Sequence, residues 1–281
     1  MSVHASNGKT NMTVAGNINI TTINPRFSWL INYLQKYIII LLIVLLWEVL
    51  PRIGFVDTFL LPPFSEVMIR WGQMFISGEM FLNFYVSILR VLAGFLIGIG
   101  IAIPLGVFMG WYKGFEETVD PLLQACRSSS AIAIYPLFLL IFGIGEQAKI
   151  AIISWGTIWP TLLSTITGVR QSDPLLIKSA RSMGASGLTL LTKVIVPGAV
   201  PNIVTGIRLS AAHSLLVLVV AEMIGAHAGL GYSIFYFEEH YAIREMYAML
   251  LTIAVLGLIV NYILKYIEKR LTAWKERQIA E

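Results

Sequence analysis

Cys126-Arg127-Ser128-Ser129-Ser130 sets a guanidinium and three hydroxyls directly before the apolar run AIAIYPLFLLIF. Groups of these types attract and hydrogen-bond an oxyanion, the guanidinium through charge-assisted bonds. Further along, His213 and Ser214 interrupt a second apolar run, and Glu222 stands near its end. Polar side chains inside long apolar segments are costly and turn toward the protein interior or a water-filled cavity. Arg127, Ser128, Ser129, Ser130, His213, Ser214 and Glu222 are therefore the candidate lining of a path for a polar solute. Each also has a plainer use: serine hydroxyls bond the carbonyl four residues back, and a lone histidine packs. Glu222 would repel an anion, so its expected part is structural or gating, holding an outer gate through a hydrogen bond. No catalytic set stands beside them. His4, His213, His227 and His240 lack metal-ligand spacing. Neither G-x-S-x-G nor the phosphate-binding G-x-x-x-x-G-K-[ST] occurs. Cys126 is the only cysteine, so an intrachain disulfide is impossible, and it reads as a small packing residue.

The elements that must carry these residues follow from composition. Of 281 residues, 57% are hydrophobic and only 13% are charged, with mean hydropathy +0.76. A soluble domain carries about a quarter charged residues, so the surplus apolar surface has to face lipid. Six apolar runs predict an all-α, polytopic membrane protein with six transmembrane helices, near 37–55, 86–111, 121–142, 147–169, 206–226 and 246–267. Pro51 ends or kinks the first. Between the first two, Pro62-Pro63 stops any helix, Ser65 is the expected N-cap, and an amphipathic helix at the membrane surface follows. The second run places Gly94, Gly98, Gly106 and Gly110 where another helix can approach closely.

The chain divides into a polar tail over 1–26, the first span with an external linker and amphipathic helix over 27–85, a core over 86–274, and a second tail over 275–281. Lys and Arg are concentrated on the side that holds both tails and the segment 170–206, which assigns that side to the cytoplasm. The net charge of +4 therefore reports membrane orientation and not a nucleic-acid partner.

Segment 170–206 interrupts the run of spans. Asp173-Pro174 is an N-cap followed by proline at the first helical position. Gly184 permits a turn, Ser186 can cap a second helix, and that helix is expected to end near Pro197, with Pro201 reinforcing the break. The pattern is Lys178-Ser179-Ala180, three residues, Gly184, nine residues, then Val194-Ile195-Val196-Pro197. It resembles the E-A-A-x3-G-x9-I-x-L-P loop of ABC importer permeases, with Lys178 in place of Glu, Ser179 of Ala and Val196 of Leu.

Six further segments, LPPFSEVMIRW, SILRVLAGFLIGIGIAIPLGVFMGW, YPLFLLIFGIGEQAKI, GVRQSDPLLIKSARSMGAS, VPGAVPNIVTGIRLS and AEMIGAHAGLGY, are similar to the nitrate/sulfonate/taurine branch of that family. At Ser128 to Ile134 the chain departs from a proline-rich, tryptophan-containing stretch that many relatives carry.

The resemblance implies a type I ABC importer permease fold in the bacterial plasma membrane. It implies a second permease copy, ABC ATPase subunits that bind ATP and magnesium, and an external solute-binding protein. Lys178, Ser179, Ala180, Gly184, Ala185 and Pro197 would form the loop that couples to the ATPase. The chain itself would be no enzyme and bind no cofactor. The implied solute is a sulfonate, taurine or nitrate, or alternatively a vitamin precursor or an aromatic acid. A stand-alone secondary transporter would usually show internal repeats, helices broken at mid-membrane or intramembrane acid pairs, and no convincing repeat between the halves is evident.

Overall fold

The computed structural model describes residues 25–272, with side chains described from residue 38. Both predicted tails lie almost wholly outside those residues. The described chain folds into helices joined by short connections: α1 Pro25–Arg52, α2 Phe64–Ser77, α3 Glu79–Trp111, α4 Lys113–Ser128, α5 Ala131–Phe142, α6 Glu146–Arg170, α7 Pro174–Ser182, α8 Gly187–Leu190, α9 Val196–Met223, α10 Leu230–Glu239 and α11 Ile243–Leu271. No strand occurs among the described residues.

Four of these are long and apolar enough to cross a membrane: α3, α6, the continuous helix Gly187–Met223, and α11. The bent pair α4 and α5 adds a fifth if the two together make one span. The expected count of six is reached only with that pair and with α1, whose 28 residues extend about 42 Å at the helical rise. From Ile38 to Leu46 nearly all its apolar side chains are exposed, as lipid contact requires. Trp47 ties the end of α1 to the bundle, donating to the Pro62 carbonyl at 3.1 Å and packing on Phe64 and Tyr247.

α3, α6 and α9 form the centre. Gly94, Gly98, Ala102, Gly106 and Gly110 recur every four residues and so share one face of α3. That face meets Ile153, Thr157, Thr165 and Val169 of α6, again four-spaced or a multiple of it. The offset in residue number is constant, so the two helices run parallel in register. A methyl group at Gly98 would lie 2.6 Å from Thr157 Cβ and 2.9 Å from the Ser154 carbonyl, so only glycine permits this approach. α9 runs antiparallel on another face of α6, with Gly156 against Val217 and Gly206 against Ser164. Thr161 donates to Ser210 Oγ across that interface at 2.9 Å.

The structure corrects the sequence at four places. The third span is broken: α4 and α5 meet at 96° across Ser129 and Ser130. Both serines have extended backbones, and the Ser128 and Ser129 hydroxyls donate to the Ala125 carbonyl at 3.0 and 2.9 Å. These local bonds compete with continuation of the helix. α4 itself carries Lys113, Glu116, Glu117 and Asp120 and buries no residue.

The N-cap of α2 is Pro63, not Ser65. Ser65 instead donates its hydroxyl to Glu48 at 2.9 Å and accepts from Arg52 at 3.0 Å, which ties α2 to α1.

The second helix of segment 170–206 does not end at Pro197. It continues from Gly187 to Met223 through a π-helical turn at Leu191–Ile195. The wider turn makes room for the proline ring, which an α-helical turn would press against a carbonyl one turn back. Lastly, the connection read as polar between the last two spans contains α10.

Candidate functional site

The break between α4 and α5 opens onto a cavity of about 540 Å³. Arg127, Ser128, Ser129 and Ser130 line it from the break, with Ala131 and Ile132 from the first turn of α5. α6 contributes Trp155, Gly156 and Trp159 near its middle, and α9 contributes His213, Leu216, Val217 and Val220. The two indoles stand edge to face, 4.9 Å between ring centroids. Gly156 lets α6 and α9 close on one another behind the cavity, where a methyl would lie 2.9 Å from Val217 and 3.5 Å from His213 Nδ1. No acidic side chain among the described residues lines it. Arg127 is exposed and its Nη2 donates to Gln124 Oε1 at 2.6 Å, one turn back.

Five of the seven predicted path residues thus come together on one cavity. Ser214 does not: it is buried, donates to the Ala211 carbonyl at 2.8 Å, and faces α3 and α11 beside Val91 and Val260. Glu222 does not either, and its surroundings are the best-defined polar feature of the molecule.

Glu222 is fully buried where α3, α6 and α9 meet, at the end of the bundle away from segment 170–206. Arg90 of α3, itself 4% exposed, donates to Glu222 Oε1 at 2.8 Å. The Ser87 hydroxyl lies 2.8 Å from both carboxylate oxygens, and the Gly231 amide donates to Oε2 at 2.9 Å. Arg90 also grips Glu146 of α6 with two bonds, 2.5 and 2.6 Å, and donates to the Ala228 carbonyl at 2.6 Å. Lys149, 3% exposed, donates to Glu146 at 3.3 Å. Ser87 accepts the Leu230 amide, and Asn83 accepts that of Gly229.

The buried carboxylate is thereby paired and hydrogen-bonded, the condition for keeping a charge out of water. The network fastens three helices and the 224–231 connection to one another. Sequence reasoning placed a hydrogen bond at Glu222 but missed Arg90, Ser87, Glu146 and Lys149. A cation inside an apolar run was the available signal for Arg90.

At the opposite end, α7, the turn and α8 form a hairpin. Asp173 caps α7 by accepting the Leu175 amide at 2.8 Å. Gly184 has φ +84, a left-handed conformation that glycine adopts without strain, and the Ala185 amide returns to the Ala180 carbonyl at 3.0 Å. Ala180 and Ala185 face inward, in a cluster with Leu190, Ile195 and Ala199 that packs on Val107 and Trp111 of α3. Lys178, Ser179, Gly184 and Pro197 are exposed. Leu175, Leu176, Met183 (82% exposed) and Leu188 (76%) form an apolar outer surface on the same hairpin.

A bundle of membrane-crossing helices with a helical hairpin at one end and a cavity between the α4–α5 break, α6 and α9 has the build of a transport permease. The chain belongs to the binding-protein-dependent transport system inner membrane component family, whose model matches residues 102–273. It is an ABC transporter permease and a multi-pass membrane protein. It is 33% identical over 250 residues to the putative aliphatic sulfonates transport permease protein SsuC of Bacillus subtilis, covering 89% of each chain. It is 30% identical to the taurine transport system permease protein TauC of Escherichia coli, over 81% of this chain and 85% of that one. The formylaminopyrimidine transport permease protein ThiX of Halalkalibacterium halodurans is 27% identical, over 87% of this chain and 97% of the relative. Among solved structures, a chain of the MetNI methionine ABC transporter in inward-facing conformations superposes with a TM-score of 0.61 at 21% identity. That match covers 67% of this chain and 94% of the other, and shows a shared fold.

Proposed function

We propose that this chain, paired with a second copy, forms the passage by which a small anion delivered by an external binding protein enters the cell. ATP and magnesium are bound by separate ATPase chains, which dock on the 170–206 hairpin and drive the passage between its open states. The termini and the hairpin face the cytoplasm of a bacterial cell, and the Arg90–Glu222 network faces outward.

One observation carries this reading: Arg127 and three consecutive serines stand at the mouth of a cavity at mid-bundle, beside the middle of α6. A cation exposed at that depth is costly against lipid, so it faces a second subunit or a water-filled passage. The apolar surface of Leu175, Leu176, Met183 and Leu188 beside Lys178 supports docking of a soluble partner. The sulfonate and taurine relatives support an anionic solute. A neutral heterocycle is the second reading, favoured by the paired indoles and the formylaminopyrimidine relative.

The test is uptake of a labelled sulfonate into vesicles holding the permease, its ATPase and its binding protein. Uptake should require ATP on the ATPase side and the binding protein on the other. Uptake by the permease alone, driven by an ion gradient, would overturn the reading.

A further inference from the structure

Resting on the permease reading above, we infer that the cavity between the α4–α5 break, α6 and α9 is a solute subsite selective for organic anions with an apolar body. It discriminates against inorganic oxyanions and against neutral molecules of the same shape.

The chemistry of the lining is divided. Its polar groups are confined to residues 127–130 and His213, while Trp155, Trp159, Leu216, Val217 and Val220 make the remaining wall apolar. Among the described residues Arg127 is the only full charge on the cavity, and no carboxylate lines it to favour a cation. The break adds a second anion-binding element. α5 begins at Ala131 with no side-chain cap on its first turn, and Ala131 and Ile132 lie on the cavity wall. Uncapped amides at a helix start favour negative charge.

The indole N–H groups of Trp155 and Trp159 are buried without an acceptor among the described residues. Buried donors normally have a partner, so the indoles turn their N–H edges into the protein and leave ring surface to the cavity. The charged head of a solute therefore belongs at Arg127 and the α5 start, with its body against the indoles.

Size decides between solute classes. A chamber of about 540 Å³ is on the scale of small-molecule sites. Nitrate would occupy a small part of it, losing hydration to a wall that is mostly apolar. An aryl or alkyl group fills the space and gains from burial against two aromatic rings. Sulfonate and carboxylate heads share the recognising chemistry, so the head group is left to the experiment.

The experiment uses the full-length chain in lipid nanodiscs, with binding of benzenesulfonate, benzoate, nitrate and the neutral isostere benzenesulfonamide measured by calorimetry. Benzenesulfonate, benzoate or both should bind saturably, with benzenesulfonamide about tenfold weaker or worse for want of one charge-assisted bond, and nitrate about tenfold weaker or worse for want of an apolar body to bury. Arg127→Gln should weaken the anions by a similar factor and leave benzenesulfonamide unchanged. Trp159→Ala should weaken all the aromatic probes, and Trp159→Phe should restore them in part. Nitrate or benzenesulfonamide binding as tightly as benzenesulfonate, the absence of saturable binding, or Arg127→Gln without effect on the anions would overturn the inference. Stimulation of ATP hydrolysis by the loaded binding protein in the assembled complex reports on the permease reading separately. If stimulation is present and anion preference absent, only the subsite fails.

Discussion

Arg90 and Glu222 lie 132 residues apart in the chain and meet through a 2.8 Å ion pair inside the bundle. The Arg90 guanidinium is shared between that carboxylate, Glu146 and the Ala228 carbonyl, so one side chain joins α3, α6, α9 and the connection to α10. Removing the cation alone leaves a fully buried carboxylate with only the Ser87 hydroxyl and the Gly231 amide. Arg90→Gln is therefore expected to cost about 3–5 kcal/mol of stability. The double change Arg90→Gln with Glu222→Gln removes both charges and should recover part of it. Thermal unfolding of the purified proteins is the measurement. Equal midpoints for the single and double variants would mean that the pair is not coupled.

The contact of α3 with α6 leads to a contrast between two glycines two residues apart. Gly98 has Thr157 and the Ser154 carbonyl against it, and Gly100 has no atom within 4 Å of an added methyl. Gly98→Val should separate the helices at a cost of about 1–3 kcal/mol, the usual range for overpacking. Gly100→Ala should be neutral or slightly stabilising because alanine favours the helix. Resistance to detergent-induced unfolding distinguishes them, and equal behaviour would remove the close approach as the reason for glycine at 98.

Gly184 sits at the hairpin turn with φ +84 and open space around it. Gly184→Val introduces backbone strain of about 1–3 kcal/mol and a branched side chain on the exposed tip. The spans keep their lipid-facing surface, so abundance in the membrane should hold while uptake falls sharply and less ATPase is recovered by pull-down. Lys178→Glu, at an exposed position six residues earlier, should be tolerated. Normal uptake by Gly184→Val at normal abundance would show that this hairpin is not the coupling element.

Orientation is open to chemical labelling. Ser186 and Ser77 are both exposed, one in the hairpin and the other at the end of α2. In a chain lacking Cys126, a cysteine at Ser186 should react with an impermeant thiol reagent only after the membrane is opened. A cysteine at Ser77 should react in intact spheroplasts. Labelling of position 186 from outside would reverse the assignment.

The sequence by itself determined what local rules can settle. Long apolar runs became helices because backbone groups in lipid must bond within their own segment. Asp173-Pro174 started α7 and Gly184 made its turn because capping and positive φ are properties of one or two residues. The four-residue spacing of glycines on α3 announced a close helix contact because the spacing matches the helical period.

Only the tertiary structure decided which helix fills that face, and which carboxylates hold Arg90. Neither periodicity nor composition specifies a partner 132 residues away, since pairing there follows from how three helices pack. The same holds for the polar residues of the apolar runs. Their types were legible, but a small difference in helical facing sends His213 to the cavity and Ser214 to the α3 side. The break at Ser129 and the passage of α9 through Pro197 were also beyond local reading. In each, competing local preferences were resolved by packing: side-chain bonds to Ala125 at the break, and a π turn packed against α3 at the proline.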